Sequence, residues 1–151
     1  MTDALPLATH YELRRFYADQ LEARDRGGTE EWLAVFDDDA TMTTKVLGRD
    51  SPVRKAEFAA EVRALDASFH EREVQRRHCV HGFAFSARDG VVEARFYALF
   101  LVVDAASGAR LQSAAMIHAR LRRHGGTWRV LSRVIERDDL GRLRPGPPSP
   151  G

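Results

Sequence analysis

Cysteine occurs once in this chain, at Cys79, so no disulfide can form within it and a zinc site built on several thiolates is excluded. Lysine is almost as scarce: Lys45 and Lys55 are the only lysines among 23 basic residues. The arginines that make up the remainder are dispersed among 22 acidic residues, and the net charge is +1. A chain so balanced gives no reason to expect nucleic acid or an anionic membrane as its partner. Long apolar runs are also missing. No stretch reaches the length of a membrane span, and the N-terminus lacks a secretory signal's basic-then-apolar order, so a cytoplasmic protein is expected. The sequence has no glycine-rich phosphate loop, no Ser or Cys nucleophile elbow and no cluster at metal-ligand spacing, so no cofactor is expected.

What is present suits one folded domain. An apolar fraction of 44% and a charged fraction of 30% are ordinary for a globular chain, and 151 residues can bury a substantial core. The spacing of Leu13, Phe16, Tyr17 and Leu21 predicts a helix over 9–24, stopped by Asp25-Arg26-Gly27-Gly28. Thr29 can cap a short second helix carrying Trp32, Leu33 and Phe36. Asp37-Asp38-Asp39 then breaks the pattern, and a strand follows from Ala40 to Leu47. Ser51-Pro52 reads as the start of a third helix with Phe58, Val62, Leu65 and Phe69 on its buried side.

After residue 74 the chain reads as sheet. Strands are expected at 75–86, 91–104, 110–123 and 128–137, separated by Asp89-Gly90, Ser107-Gly108 and Gly125-Gly126. Residues 143–151 hold four of the six prolines and are expected to be a disordered tail to a single domain spanning 1–142. The fold class is therefore α+β: a curved, mostly antiparallel sheet whose concave face is covered by three helices. Such a packing encloses a cone with an open mouth, a natural small-molecule site.

The motifs carry a resemblance. Tyr17 to Asp25 resembles a first-helix pattern of tyrosine followed by Leu-Asp-x-x-Asp. Glu31 to Ala40 is similar to a Trp-x-x-x-Phe-x-x-Asp-Ala segment, and Arg77-His78 with Val80 to an Arg-His-x-Val strand start. Gly126-Thr127-Trp128-Arg129-Val130, then Arg133 and Asp138, resembles a final Gly-x-Trp-Arg strand. Over about residues 10–140 these resemble the motifs of the nuclear-transport-factor-2-like superfamily, in its SnoaL-like branch of polyketide cyclases and scytalone dehydratase-like proteins. The resemblance implies a cone-shaped α+β barrel and a hydrophobic, aromatic or polyketide-derived substrate. It implies acid/base chemistry of cyclase, dehydratase or isomerase type. A second resemblance, to the small structural subunit of aromatic-ring-hydroxylating dioxygenases, implies instead a non-catalytic binding or assembly role.

The resemblance places His78 as the catalytic histidine and Glu22 as the carboxylate that would orient it. On a helical wheel Glu22 falls roughly 180° from Leu13, so it reaches the cavity only if the helix ends or bends near Leu21. Tyr17 is either a pocket donor or a core tyrosine, and Trp32 either packing or part of the mouth. Where many members of the branch carry Tyr-x-Asp, this chain has Ile117-His118-Ala119, which leaves an apolar wall. Regular strand parity puts Val80 and Gly82 on the face of His78, and Cys79, His81, Phe83 and Phe85 on the other. The phenylalanines would then cover the outer sheet surface, from which a homodimer is expected. Tyr97 is a further candidate to contact substrate, although the sequence leaves open which face of its strand lines the cone. Arg133, in an apolar strand, is a candidate too and is expected to find a carboxylate partner.

Overall fold

The computed structural model describes residues 4–45 and 50–138. The expected tail, 143–151, and the end of the expected first strand at Leu47 lie outside the described residues. Helix α1 spans Leu7–Asp25 and α2 Thr29–Ala34, followed by strands β1 (Phe36–Lys45) and β2 (Val53–Arg54) and helix α3 (Lys55–Glu71). Four long strands complete the chain: β3 (Gln75–Arg88), β4 (Val91–Asp104), β5 (Gly108–His124) and β6 (Thr127–Arg137). They form one six-stranded sheet in the order β2-β1-β6-β5-β4-β3. All neighbours are antiparallel except β1 and β6, which run parallel.

The core sits between the concave face and the helices. Leu13 and Tyr17 of α1, Trp32 and Leu33 of α2, and Phe58 and Val62 of α3 are buried against Phe96, Ile117, Leu121 and Val130 of the sheet. Full burial of each large apolar side chain contributes about 1.5–3 kcal/mol. Asp89 and Gly90 both take positive φ, at 51° and 75°, which makes the tight turn between β3 and β4.

Three local expectations are corrected. The triple aspartate does not end the α2 region as a loop; it lies inside β1. Phe36 is buried at the start of that strand, Asp37 accepts from Arg122 at 2.5 Å, and the pairing with β6 is interrupted between Phe36 and Thr41, so Asp38 and Asp39 reach solvent at an irregularity before the ladder resumes. Pro52 does not open α3. Val53 and Arg54 first pair with Met42 and Thr41, and the helix begins at Lys55. Thr29 does not cap α2 with its side chain; its hydroxyl donates to Asp66 at 2.6 Å.

The correction with most consequence lies in β3. Pairing with β4 is regular from Gln75 to His81 and resumes at Ala84, with a register shift between. Gly82 takes φ +66° there, a left-handed conformation that glycine adopts without steric cost. This bulge adds one residue and inverts the parity beyond it. Phe83 and Phe85 therefore point inward with His78 and Val80, and pack against Tyr17 at 5.5 and 6.5 Å. They do not form the outer surface on which a dimer was expected.

Candidate functional site

The concave side holds a cavity of about 300 Å³ at the mouth of the cone. The alternation of β3 to β6 decides its walls. His78 and Val80 of β3, Phe96 and Ala98 of β4, Ala115 and Ile117 of β5, and Arg133 and Ile135 of β6 all line it. Trp32 of α2 and Phe58 and Val62 of α3 close the helical side. Aliphatic and aromatic carbon dominates, with a few polar groups that can orient a ligand.

His78 is the polar group best placed for chemistry. Its Nδ1 lies 2.5 Å from Asp25 Oδ1, and its backbone N–H donates to Asp25 Oδ2 at 2.9 Å. The ring rests on Phe100, with centroids 4.8 Å apart. A carboxylate only accepts, so Nδ1 donates, leaving Nε2 as the nitrogen able to exchange a proton with a ligand. The histidine side chain is 23% exposed and the carboxylate 11%, so the pair is sheltered while the ring still reaches the cavity.

The end of α1 is fixed so that this pair can form. Gln75 Nε2 donates to the Asp25 carbonyl at 2.9 Å, and Arg76 Nη2 to the Arg24 carbonyl at 2.8 Å. These bonds satisfy carbonyls that a helix C-terminus leaves open. Below them Asp66 of α3 receives Arg76 at 2.5 Å, Thr29 at 2.6 Å and an ion pair from Arg24. Burial pushes the Asp66 carboxyl up, but the hydrogen bonds from Thr29, Arg24 and Arg76 outweigh it and hold the group below the usual carboxylate range. Two helices and β3 thus meet on one buried carboxylate.

Glu22, expected as the orienting acid, is exposed and is absent from the cavity wall. Asp25 holds that position. On the wheel Asp25 lies about 80° from Tyr17, and Glu22 about 140°. The signal was in the sequence: Asp25 is the second acid of the Leu-Asp-x-x-Asp pattern, four residues beyond Leu21 on the buried stripe.

Tyr17 is fully buried among Phe83, Phe85 and Phe96 and does not line the cavity. Its hydroxyl has no hydrogen-bond partner among the described residues. Burial raises its pKa to about 12, against a smaller lowering by Arg133. Tyr97 is half-exposed on the convex face, stacked on His81 at 5.2 Å, so it cannot touch a ligand in the cone. Trp32, Val80, Ile117 and Arg133 do line the cavity. Arg133 has no carboxylate partner of the expected kind among the described residues: it donates to the Gln20 amide oxygen and lies over the rings of Trp32 and Phe36, 5.5 and 5.1 Å from their centroids. A planar guanidinium can be held this way because aromatic faces attract cations.

Comparison with known proteins agrees with this fold. The family model described as a SnoaL-like domain matches residues 6–134. A protein from Catenulispora acidiphila, solved in complex with S-DNPA, is similar at 33% identity over 88% of this chain and 96% of its own, with a TM-score of 0.74. Aln2 from a Streptomyces species is similar at 27% identity over 91% of this chain and 96% of its own, with a TM-score of 0.79. The beta subunit of a putative aromatic-ring-hydroxylating dioxygenase from Novosphingobium aromaticivorans shares the fold at 20% identity, over 91% of this chain and 92% of its own, with a TM-score of 0.73. No match to a protein of curated function is found.

Proposed function

Because the chain belongs to the SnoaL-like domain family, we propose that it is a small-molecule enzyme of secondary metabolism that moves a proton at a carbon next to a carbonyl. The substrate is a hydrophobic aromatic or polyketide-derived compound, and the outcome is a cyclisation, dehydration or isomerisation. The observation that carries this reading is the Asp25–His78 pair opening onto an apolar cavity. In the proposed step His78 Nε2 accepts the C–H proton, and the bonding electrons move onto the carbonyl oxygen as an enolate. Asp25 stabilises the imidazolium so formed, and His78 returns the proton to another atom or to a departing hydroxyl. The apolar walls keep water out and hold the carbon near the ring, which contributes through orientation. The complex of the Catenulispora relative with a small molecule supports ligand binding in such a domain.

A second reading, a non-catalytic ligand-binding or structural subunit, is favoured by one feature. Strand β5 presents Ala115, Ile117 and Ala119 inward, so no second acid faces His78 from that wall. Deuterium incorporation separates the readings. The enzyme reading predicts that the protein speeds exchange of the acidic C–H protons of 2-tetralone in D2O, followed by NMR, well beyond free imidazole at equal concentration. Exchange no faster than with imidazole favours the binding subunit.

A further inference from the structure

Arg133 is a buried cation with no counter-charge among the described residues. It projects from the inner face of β6, opposite Ala119 of β5 and Met42 of β1, and is 7% exposed. Its one hydrogen bond goes to a neutral amide, that of Gln20, and its Nε has no partner among the described residues. The charged groups that act on it do not compensate. Arg24 repels it, and the Tyr17 phenol, its pKa pushed up to about 12 by burial, is neutral at ordinary pH. Burial holds the Arg133 guanidinium below its usual range. Among the described residues the one carboxylate on the cavity wall, Glu61, is exposed on α3.

A guanidinium removed from water without a paired anion is expensive, and aromatic faces offset only part of that cost. The second unused donor is adjacent. Trp32 stacks with Arg133, lines the same cavity, is 5% exposed, and its indole N–H has no acceptor among the described residues. A ligand that supplies an acceptor and a negative charge satisfies both.

We propose that Arg133 and the Trp32 indole N–H form an anchoring subsite for a carboxylate carried by the aromatic ligand. A carboxylate accepts from a guanidinium and an indole together, and charge-assisted bonds of this kind are strong when water is excluded. His78 stands on β3 and Arg133 on β6, so the anchored acid would lie along the cone with its reacting carbon toward the histidine. The proposal rests on the cone being the ligand site, as in the reading above. It does not depend on whether His78 transfers a proton.

The test is calorimetric binding of 2-naphthoate and of 2-naphthamide, its neutral isostere, to the full chain at neutral pH. The acid is expected to bind at least about tenfold more tightly than the amide, and Arg133→Met to erase that preference while amide affinity holds. Equal affinity of the intact protein for both compounds, no binding of either, or a preference that survives Arg133→Met overturns the proposal. Should Arg133→Met fail to fold, Trp32→Phe keeps an aromatic face for the guanidinium while removing the N–H. A severalfold loss for the acid alone then supports the subsite, and an equal loss for both compounds overturns it. A protein that selects the acid without catalysing exchange in 2-tetralone keeps the subsite and loses the enzyme reading. One that catalyses exchange and binds both compounds alike does the reverse.

Discussion

Asp25 spends both carboxylate oxygens on one residue, Oδ1 on the His78 ring and Oδ2 on its backbone N–H. An amide cannot copy this, because one of its two ends donates. In Asp25→Asn either the ring or the backbone N–H meets a second donor, and the tautomer is no longer dictated. Exchange activity is expected to fall on the order of a hundredfold, and stability by about 1–3 kcal/mol. Affinity for a neutral ligand such as 2-naphthamide should hold, so calorimetry beside the exchange assay detects a general collapse of the site. Tyr17 gives a contrasting case. Its hydroxyl has no partner among the described residues, and burial pushes its pKa up to about 12 in the folded chain against 10.0 ordinarily. Between those values the unfolded chain binds fewer protons, so stability falls as pH rises through that window. Tyr17→Phe removes this alkaline loss. Urea unfolding at pH 9 and pH 11 should show a smaller drop for the variant than for the parent, and equal drops would show that the phenol is not the titrating group.

At the scale of elements, the bulge in β3 decides which side chains share the interior. Alanine at position 82 must hold φ +66°, and its Cβ would lie 2.9 Å from Tyr97 Cδ2. Tyr97 is half-exposed and can swing aside, so the backbone sets most of the cost. Gly82→Ala should destabilise by about 1–3 kcal/mol in urea titration, and Gly82→Asn by less, since asparagine tolerates that region better. A variant with unchanged stability would mean that the strand runs regular and Phe83 turns outward. This bulge also marks where the sequence stopped being legible. The helices around Leu13, Trp32 and Phe58 and the four long strands with their Gly-containing turns followed from periodicity, as did the placing of His78 and Val80 on one face; that this face looks inward was an expectation tied to the resemblance. Strand parity beyond Gly82 did not follow, because one inserted residue leaves no periodic trace. Asp25 was passed over because it was read as part of a helix stop, although it is still helical and on the buried side. That Arg133 has no carboxylate among the described residues could not be foreseen either, since the rings and amide that hold it come from α1, α2 and β1.

At the scale of the whole molecule, the convex face keeps a case for self-association on other residues than those first expected. Phe83 and Phe85 are inside, but Tyr97 and Leu99 of β4 are exposed at 49% and 36% on that face. Met116 of β5 lies beside Tyr97 in the ladder. We propose that a homodimer forms there; sedimentation should give twice the chain mass of 17.0 kDa, and Tyr97→Asp with Leu99→Arg should give the single chain. A monomer at micromolar concentration contradicts it. On the concave face the cone brings one histidine–carboxylate pair to an apolar cavity, and the account stands on what that histidine does. The most direct measurement is the 2-tetralone exchange rate of His78→Ala per folded molecule, with its melting curve giving the folded fraction. The account predicts a loss of about a hundredfold or more in a protein that still folds. Full activity per folded molecule would contradict it.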